Sequence, residues 1–385
     1  MRERKLVTRV PERMHATGHV MAKRTQSRNT SGSAFASSGG SSEMVLMERL
    51  IGPIDPETKR VLRSRSMANL LRIGHCAPTV MQTILDVCAP GLARPEKEWL
   101  VKLTAGMPGG IGNTGYECGA VTSPLVLLGL CHGLGTMHQG LPLIFNKGRD
   151  FYRRFLSCNH SLLCSTIHNE DRFPRRCIRA IRHAPEHYAE TVSADGIDVI
   201  PVQEREMYSR LYLHLTKMGF HCSHAVFEHM PQAVPISREL TDATSAFVGG
   251  TLFGGMTCSA FTAGVMTLGL FAGEIENSRL RVLRMIAVMM TGGNVLDNDL
   301  NKFNRIVSMG IRMSRWFRHE FGSTQCRDIT QCDFSSNEGV SRYIESDCVA
   351  KCRTIAAKVA GKTGDMIEEI DAGRENPARR SAAGI

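Results

Sequence analysis

The sequence predicts an all-α protein built from two tandem helical-bundle repeats that follow a disordered N-terminal tail. Three observations predict this architecture. A segment centred on Cys118 recurs around Cys258, apolar residues recur at steps of three and four, and the alternating patterns that indicate strands are scarce.

The recurrence is the strongest of these signals. Residues 115–130 read GYECGAVTSPLVLLGL and residues 255–270 read GMTCSAFTAGVMTLGL. Residues 104–130 align with residues 244–270 without a gap, and ten of the 27 aligned positions are identical. We therefore predict a duplicated unit whose two copies pack as an intramolecular pseudo-dimer.

The predicted elements follow in chain order. Residues 1–43 form a tail because their Ser/Gly-rich end, TQSRNTSGSAFASSGGSSE, cannot bury enough apolar surface to fold. The first repeat then spans 44–190, the second spans 191–370, and 371–385 form a flexible C-terminal tail. Helical patterns, many bounded by Pro or Gly, cover 57–73, 77–89, 95–106, 147–167, 203–218, 300–321 and 338–361.

Composition narrows the possible function. The net charge is +10, but residues 1–43 alone hold eight Lys/Arg against three acids, and only 6% of the chain is aromatic. The predicted folded part has no basic cluster with interleaved aromatics, so we expect no nucleic-acid partner. No signal peptide is visible, so we expect a cytoplasmic protein whose 13 cysteines are metal ligands or redox thiols rather than a disulfide framework.

Two uncharged runs raise a membrane alternative. Residues 243–273 contain no charged side chain and 118–146 contain none apart from histidines, and both exceed the roughly 20 residues that span a bilayer. Repeated glycines interrupt both runs. We therefore favour a buried central helix in each repeat, with no membrane contact, and keep a small membrane protein as the less favoured alternative.

Each copy supplies four matched cysteines. Four thiolates from different helices could bind zinc or an iron–sulfur cluster, and fewer would suit thiol–disulfide chemistry. Local CxxC pairs are absent. The proposed metal- and cofactor-binding sets are Cys76, Cys118, Cys164 and Cys177 in the first repeat, and Cys222, Cys258, Cys326 and Cys352 in the second.

Cys118 and Cys258, the cysteines of the recurring segment, are the candidates for a catalytic role. The downstream pairing is less constrained, because the third and fourth cysteines are 13 residues apart in one copy and 26 in the other. Cys158 could replace Cys164, and Cys348 could replace Cys352. We expect the cysteines without a counterpart to be apolar core residues: Cys88, Cys131, Cys158, Cys332 and Cys348.

Glycines precede both central cysteines. Such a loop before a helix can direct backbone N–H groups at an anion or a thiolate, or it can simply let helices pack closely. No Gly-Lys-Ser/Thr follows either loop, so a phosphate loop is not indicated. His75 and His221 precede the first cysteine of each set, and we expect them to be core or surface residues rather than ligands.

The order of these motifs resembles the C-GCAxxG-C-C family of redox-active proteins. The matching residues are Cys76, the segment GYECGAVTS with Cys118, and then Cys164 and Cys177; the second copy matches through Cys222, the segment GMTCSAFTAG with Cys258, and then Cys326 and Cys352. Ser123 and Ser259 stand where the family pattern has glycine. The resemblance implies redox work with an iron–sulfur centre.

The sequence thus predicts a cytoplasmic redox protein that transfers electrons or cycles its thiols, with an iron–sulfur cluster as the expected cofactor and zinc as the alternative. Whether it is an enzyme stays open; it could be an oxidoreductase component that works with an unidentified redox partner. The alternative function is a zinc-stabilised or metal-free helical interaction scaffold.

Overall fold

The structure is a computed structural model that describes residues 54–134, 137–169, 174–194, 200–278, 280–283, 287 and 304–375. The described part of the chain is helical and contains no β-strand, only two isolated bridges. This confirms the all-α prediction. The predicted tail 1–43 and the helical start at 300–303 lie outside the described residues, and the last helix continues to Glu375.

Among the described residues, the first repeat contains seven α-helices and the second contains eight. The first contains α1 (Pro56–Ile73), α2 (Cys76–Cys88), α3 (Arg94–Leu103), α4 (Gly119–His132), α5 (Met137–Asn159), α6 (Cys164–Asn169) and α7 (Arg175–Ser193). The second contains α8 (Val202–Lys217), α9 (His224–Glu228), α10 (Arg238–Ala243), α11 (Ser259–Ala272), α12 (Arg305–Phe321), α13 (Cys326–Thr330), α14 (Asn337–Glu345) and α15 (Cys348–Glu375).

Local sequence explains where several helices begin. The side chain of Asp55 accepts a hydrogen bond from the Thr58 N–H at the start of α1, and Gly74 ends that helix in the left-handed conformation. Asn304 caps α12 and Ser336 caps α14 in the same way. These side chains accept from N–H groups that have no partner inside the helix.

The central helices α4 and α11 are buried on nearly all sides, which explains the two uncharged runs. Residues Gly119–Cys131 are all buried, as are Ser259–Gly269. Each helix packs on the last helix of its own repeat, α7 or α15, and also on a helix of the other repeat. No helix in the described ranges has both the length and the apolar character needed to cross a membrane.

Glycines let the central helices approach the opposite repeat. A Cβ atom on Gly129 would lie 2.5 Å from the carbonyl oxygen of Asp242 in α10. A Cβ atom on Gly269 would lie 2.4 Å from the carbonyl oxygen of Lys102 in α3. Since Gly129 and Gly269, like Lys102 and Asp242, are 140 residues apart, the two contacts are related by a pseudo-two-fold axis.

The axis passes close to Glu117 and Thr257, which occupy equivalent positions directly before the central cysteines. The buried Glu117 carboxylate accepts hydrogen bonds from the Thr257 N–H at 3.0 Å, from the Thr257 hydroxyl, and from the Thr251 hydroxyl at 2.6 Å. The repeats therefore contact each other through the segments that carry their central cysteines.

Two predicted helices differ from the observed ones. The helix expected at 147–167 ends at Asn159, because His160 takes a positive φ of 58° and the chain then pairs with the segment before α4. The helix expected at 338–361 is interrupted by an extended Ser346 between α14 and α15. Both breaks place a cysteine, Cys164 or Cys348, at the start of a new helix.

Candidate functional site

The central cysteine of each repeat caps a buried helix. Cys118 is the N-cap residue of α4 and Cys258 is the N-cap residue of α11. The N–H of Cys118 donates to the Leu162 carbonyl oxygen at 2.8 Å, and the N–H of Cys258 donates to the Thr324 carbonyl oxygen at 2.8 Å. The chain just before the third cysteine thus holds the second one in place.

The same short pairing fixes the third cysteine. The N–H of Cys164 donates to the Tyr116 carbonyl oxygen at 2.6 Å, and the N–H of Cys326 donates to the Met256 carbonyl oxygen at 2.6 Å. Because Tyr116 and Met256 are equivalent in the two copies, these bonds identify Cys164 and Cys326 as equivalent.

The first cysteine of each set faces the glycine loop. Backbone N–H groups of Ala77, Gly109 and Gly119 hydrogen-bond to the thiol of Cys76. The Cys222 thiol receives a hydrogen bond from the N–H of Gly249, the equivalent of Gly109. Gly109 and Gly249 both have positive φ, 75° and 61°, a conformation that favours glycine.

The fourth cysteine comes from the last long helix of each repeat, Cys177 from α7 and Cys352 from α15. The Cys118 thiol lies close enough to Cys76 and Cys177 for their charges to raise its pKa. Cys164 has all three of these cysteines as electrostatic neighbours. The predicted first set therefore clusters in space.

The second set clusters in the same way around a small cavity. The Cys326 thiol has Cys222, Cys258 and Cys352 as electrostatic neighbours. All four line a cavity of about 10 Å³, the lower limit of space for one water molecule. The other lining residues are uncharged: Ser259, Ala260, Ile329, Thr330 and Ile355.

Burial dominates the protonation of both clusters. Desolvation raises the pKa of seven cluster thiols above the ordinary value of 9.0, to about 12 for Cys258, and the neighbouring cysteines raise several of them further. The seven are Cys76, Cys118, Cys164, Cys222, Cys258, Cys326 and Cys352. Hydrogen bonds from Ala120 and Val121 to Cys118, and from Ala260 and Phe261 to Cys258, oppose this rise. Without a bound cation these seven thiols are neutral at pH 7.

Sulfurs, N–H donors and uncharged side chains surround the cavity of the second repeat. These surroundings suit a metal ion or an iron–sulfur cluster that is bound through thiolates. As placed, the side chains do not form a coordination shell: among the described residues no group of three or more His, Cys, Asp or Glu is arranged to hold a metal ion. A group larger than a water molecule could bind there only if the cavity widened.

The two cysteine clusters differ at the residue directly after the central cysteine, which is Gly119 in the first repeat and Ser259 in the second. In the sequence, Ser259 stands out only as a departure from the family pattern. A Cβ atom on Gly119 would lie 2.5 Å from the Cys76 sulfur. The equivalent residue Ser259 places its hydroxyl between the Phe247 carbonyl oxygen and the Cys222 thiol, and it hydrogen-bonds to both. Ser123, the other departure, donates to the Ala77 carbonyl oxygen at 2.8 Å and ties α4 to α2.

The histidines beside the clusters are buried and neutral. Desolvation lowers the pKa of His75 and of His221 to about 4. His75 Nε2 lies 2.7 Å from the Asn304 amide nitrogen, and His221 Nε2 lies 3.1 Å from the Ser245 carbonyl oxygen. They are core histidines with hydrogen-bond partners, as expected.

Not all five cysteines without a counterpart in the other repeat are isolated core residues, contrary to the expectation from the sequence. Cys88 and Cys131 are buried and Cys158 is half-buried, away from the cavity of the second repeat. Cys348 does not line that cavity, whereas Cys352 does. Cys332 and Cys348 contact each other, a pairing that no sequence motif predicts.

Comparison with protein families gives two matches to one family, described as "Putative redox-active protein (C_GCAxxG_C_C)", at residues 74–191 and 220–366. The matches cover more than half of the chain, and each contains one complete cysteine cluster. Searches of curated proteins and of solved structures gave no significant match. The chain therefore belongs to the C_GCAxxG_C_C family and carries the family's domain twice in tandem.

Proposed function

We propose that each repeat is an electron-transfer centre in which four cysteines hold an iron–sulfur cluster. One observation carries the proposal: each repeat brings four cysteines together at a largely buried site, with N–H donors from a glycine loop and a helix start. A bound cluster would supply reversible one-electron chemistry.

Burial argues against the cluster thiols as fast nucleophiles. Fast-reacting cysteines have lowered pKa values and partial exposure, because the thiolate is the nucleophile. Here the pKa of Cys118 and of Cys326 is raised well above 9.0, first by desolvation and then by neighbouring thiols. Thiols in such a site lose their protons when a cation binds them, so burial favours a ligand role.

The residues around the sulfurs would stabilise the negative charge of a ligated cluster. N–H groups of Gly109 and Gly119 point at Cys76, and those of Ala120 and Val121 point at Cys118. Hydrogen bonds to cluster sulfurs stabilise the more negative, reduced state. The lining of the second site has no general acid or base, which suits electron transfer without proton abstraction from a substrate.

The test is metal analysis of anaerobically purified full-length protein. We expect a brown protein with a broad visible absorbance that bleaches on reduction, and with iron and acid-labile sulfide. Cys118→Ser and Cys258→Ser should each remove about half of the iron, because each disables one of two four-cysteine sets. Cys158→Ser, which changes a cysteine outside both sets, should keep all of it.

Other results would contradict the proposal. A colourless protein with stoichiometric zinc would favour the zinc-stabilised scaffold. Iron that survives the double replacement of Cys118 and Cys258 would place the centre elsewhere in the chain.

A further inference from the structure

A pair of cysteines outside the four-cysteine sets lies beside the set of the second repeat. The Sγ atoms of Cys332 and Cys348 are 4.0 Å apart, and both residues are buried, with exposures of 2% and 8%. Both thiols face the same acceptor, the Thr330 carbonyl oxygen, at 3.2 Å from Cys332 and 3.6 Å from Cys348. The fold thus holds two free thiols side by side.

The pair lies between α13 and α15, the two helices that carry Cys326 and Cys352 of the second four-cysteine set. Cys332 lies two residues after the end of α13, the helix that begins with Cys326. Cys348 begins α15 and lies one helical turn before Cys352, whose electrostatic neighbours include it. A covalent bond between Cys332 and Cys348 would tie α13 to α15 at the edge of that cluster.

The surrounding contacts hold the backbone on both sides of the pair. The Lys351 ammonium donates to the Ile329 carbonyl oxygen at 2.6 Å, and the Arg342 guanidinium donates to the Gln331 carbonyl oxygen at 3.1 Å. Since a disulfide is about 2.05 Å long, its formation requires the two sulfurs to approach by about 2 Å. Side-chain rotation can supply a movement of this size.

We propose that Cys332 and Cys348 form a reversible dithiol–disulfide couple that exchanges with small disulfides such as oxidised glutathione. Cys348, the more exposed residue of the two, attacks one sulfur of the small disulfide through its thiol, forms a mixed disulfide and releases one small thiol. Cys332 then attacks the Cys348 sulfur and releases the second small thiol. Two protein thiols are oxidised, one small disulfide is reduced to two thiols, and the protons pass to the leaving thiolates.

This couple does not depend on whether the four-cysteine sets bind a cluster. Its chemistry needs only two adjacent sulfurs, and neither belongs to a proposed ligand set. Its location suggests what it would do: when oxidised, it would hold α13 and α15, and with them Cys326 and Cys352, at a fixed separation.

The chain is well suited to a direct test. Trypsin cleaves after Arg327, Arg342 and Lys351, so Cys332 lies on peptide 328–342 and Cys348 on peptide 343–351, each the single cysteine of its peptide. Full-length protein would be equilibrated anaerobically in glutathione buffers of increasing oxidised fraction. It would then be quenched in acid, alkylated, digested and analysed by mass spectrometry.

We expect a disulfide-linked pair of these two peptides that accumulates as glutathione becomes oxidised and disappears with dithiothreitol. Cys348→Ser should abolish it, and Cys332→Ser should leave Cys348 as a mixed disulfide with glutathione. Cys158→Ser and Cys258→Ser should both retain the linked pair, so that this test stays separate from that of the iron–sulfur cluster. Circular dichroism would verify that each variant is folded.

Two results would overturn the proposal. One is that Cys332 and Cys348 remain fully alkylated at every glutathione ratio while other cysteines oxidise. The other is that Cys332 becomes linked to a peptide that carries a different cysteine, such as 319–327 with Cys326.

Discussion

The residue that distinguishes the two clusters follows directly after the central cysteine. Gly119 leaves room for the Cys76 sulfur, whereas Ser259 fills the equivalent space and hydrogen-bonds to Cys222. The two cysteine clusters therefore have the same four thiols but different hydrogen bonds to sulfur. If each cluster holds the proposed iron–sulfur centre, this difference would give the two centres different reduction potentials.

Gly119→Ala is expected to destabilise the protein by about 1–3 kcal/mol, since the new Cβ would lie 2.5 Å from the Cys76 sulfur and 2.9 Å from the Ala77 Cβ. Ser259→Ala is the matched control. That position already holds a side chain, so the variant loses only hydrogen bonds, at about 0.5–1.5 kcal/mol. Urea denaturation measures both values, and a Gly119→Ala protein as stable as the wild type would contradict the close contact.

Among the elements, the central helices α4 and α11 set the distance between the repeats. Each approaches the backbone of the opposite repeat at a glycine, Gly129 or Gly269. The contact on the other side is a helix end: the carbonyl oxygen of Asp242 in α10, or of Lys102 in α3. A helix with larger side chains at these two positions could not lie as close.

Gly129→Ala and Gly269→Ala should therefore each cost about 1–3 kcal/mol of unfolding free energy, because the added carbon would overlap a backbone oxygen that cannot rotate away. Gly361→Ala in α15 is the control. A Cβ atom there meets nothing within 4 Å, so helix propensity alone should stabilise the protein by up to about 1 kcal/mol. Thermal and urea denaturation of the three variants would measure this; three similar shifts would argue against a close approach.

At the scale of the whole molecule, one carboxylate links the repeats. Glu117 is buried and lies between the segments of Cys118 and Cys258, with hydroxyl and amide donors from Thr251 and Thr257. Desolvation raises its pKa above 4.5 in spite of these donors. The pKa of Tyr152 is also raised, first by burial and then by the charge of Glu117, so Tyr152 stays neutral over the acid and neutral range.

Linkage gives the sign of the pH effect. A carboxyl whose pKa is raised on folding disfavours the folded state once the unfolded carboxyl ionises, so its contribution to stability falls as pH rises above about 4.5. Glu117→Gln removes that charge and keeps a group that can bond to both threonines. We expect the variant to gain stability over the wild type as pH rises from 4 to 8, measured by urea denaturation. A constant difference across this range would contradict the raised pKa.

Much of this molecule was predictable from sequence, for identifiable reasons. The duplication and the equivalence of Cys118 with Cys258 were visible because the same loop and helix start require the same residues twice. The downstream cysteines were harder to align: residues between α11 and α12 lengthen the second copy, and only the bonds from Cys164 to Tyr116 and from Cys326 to Met256 fix the register.

Other features depend on contacts between distant segments that no local pattern records. Glu117 looked like an ordinary acidic residue, yet its partners lie 134 and 140 residues away. Cys332 and Cys348 lack counterparts in the first repeat, so the comparison of copies that identified the clusters could not identify them. The separation of α14 from α15 likewise depends on one extended residue, Ser346.

The contact between Glu117 and Thr257 shows what joining two copies in one chain makes possible. In a symmetric homodimer of a single repeat, the residue on the axis would face its own copy, so a glutamate would face a glutamate in a buried space. Two carboxylates there would repel each other unless one were protonated. Within a fused chain the two sides can differ, and here an acceptor on one repeat meets donors on the other. In the fused chain, the contact between the two repeats is therefore formed by complementary groups rather than by two identical ones.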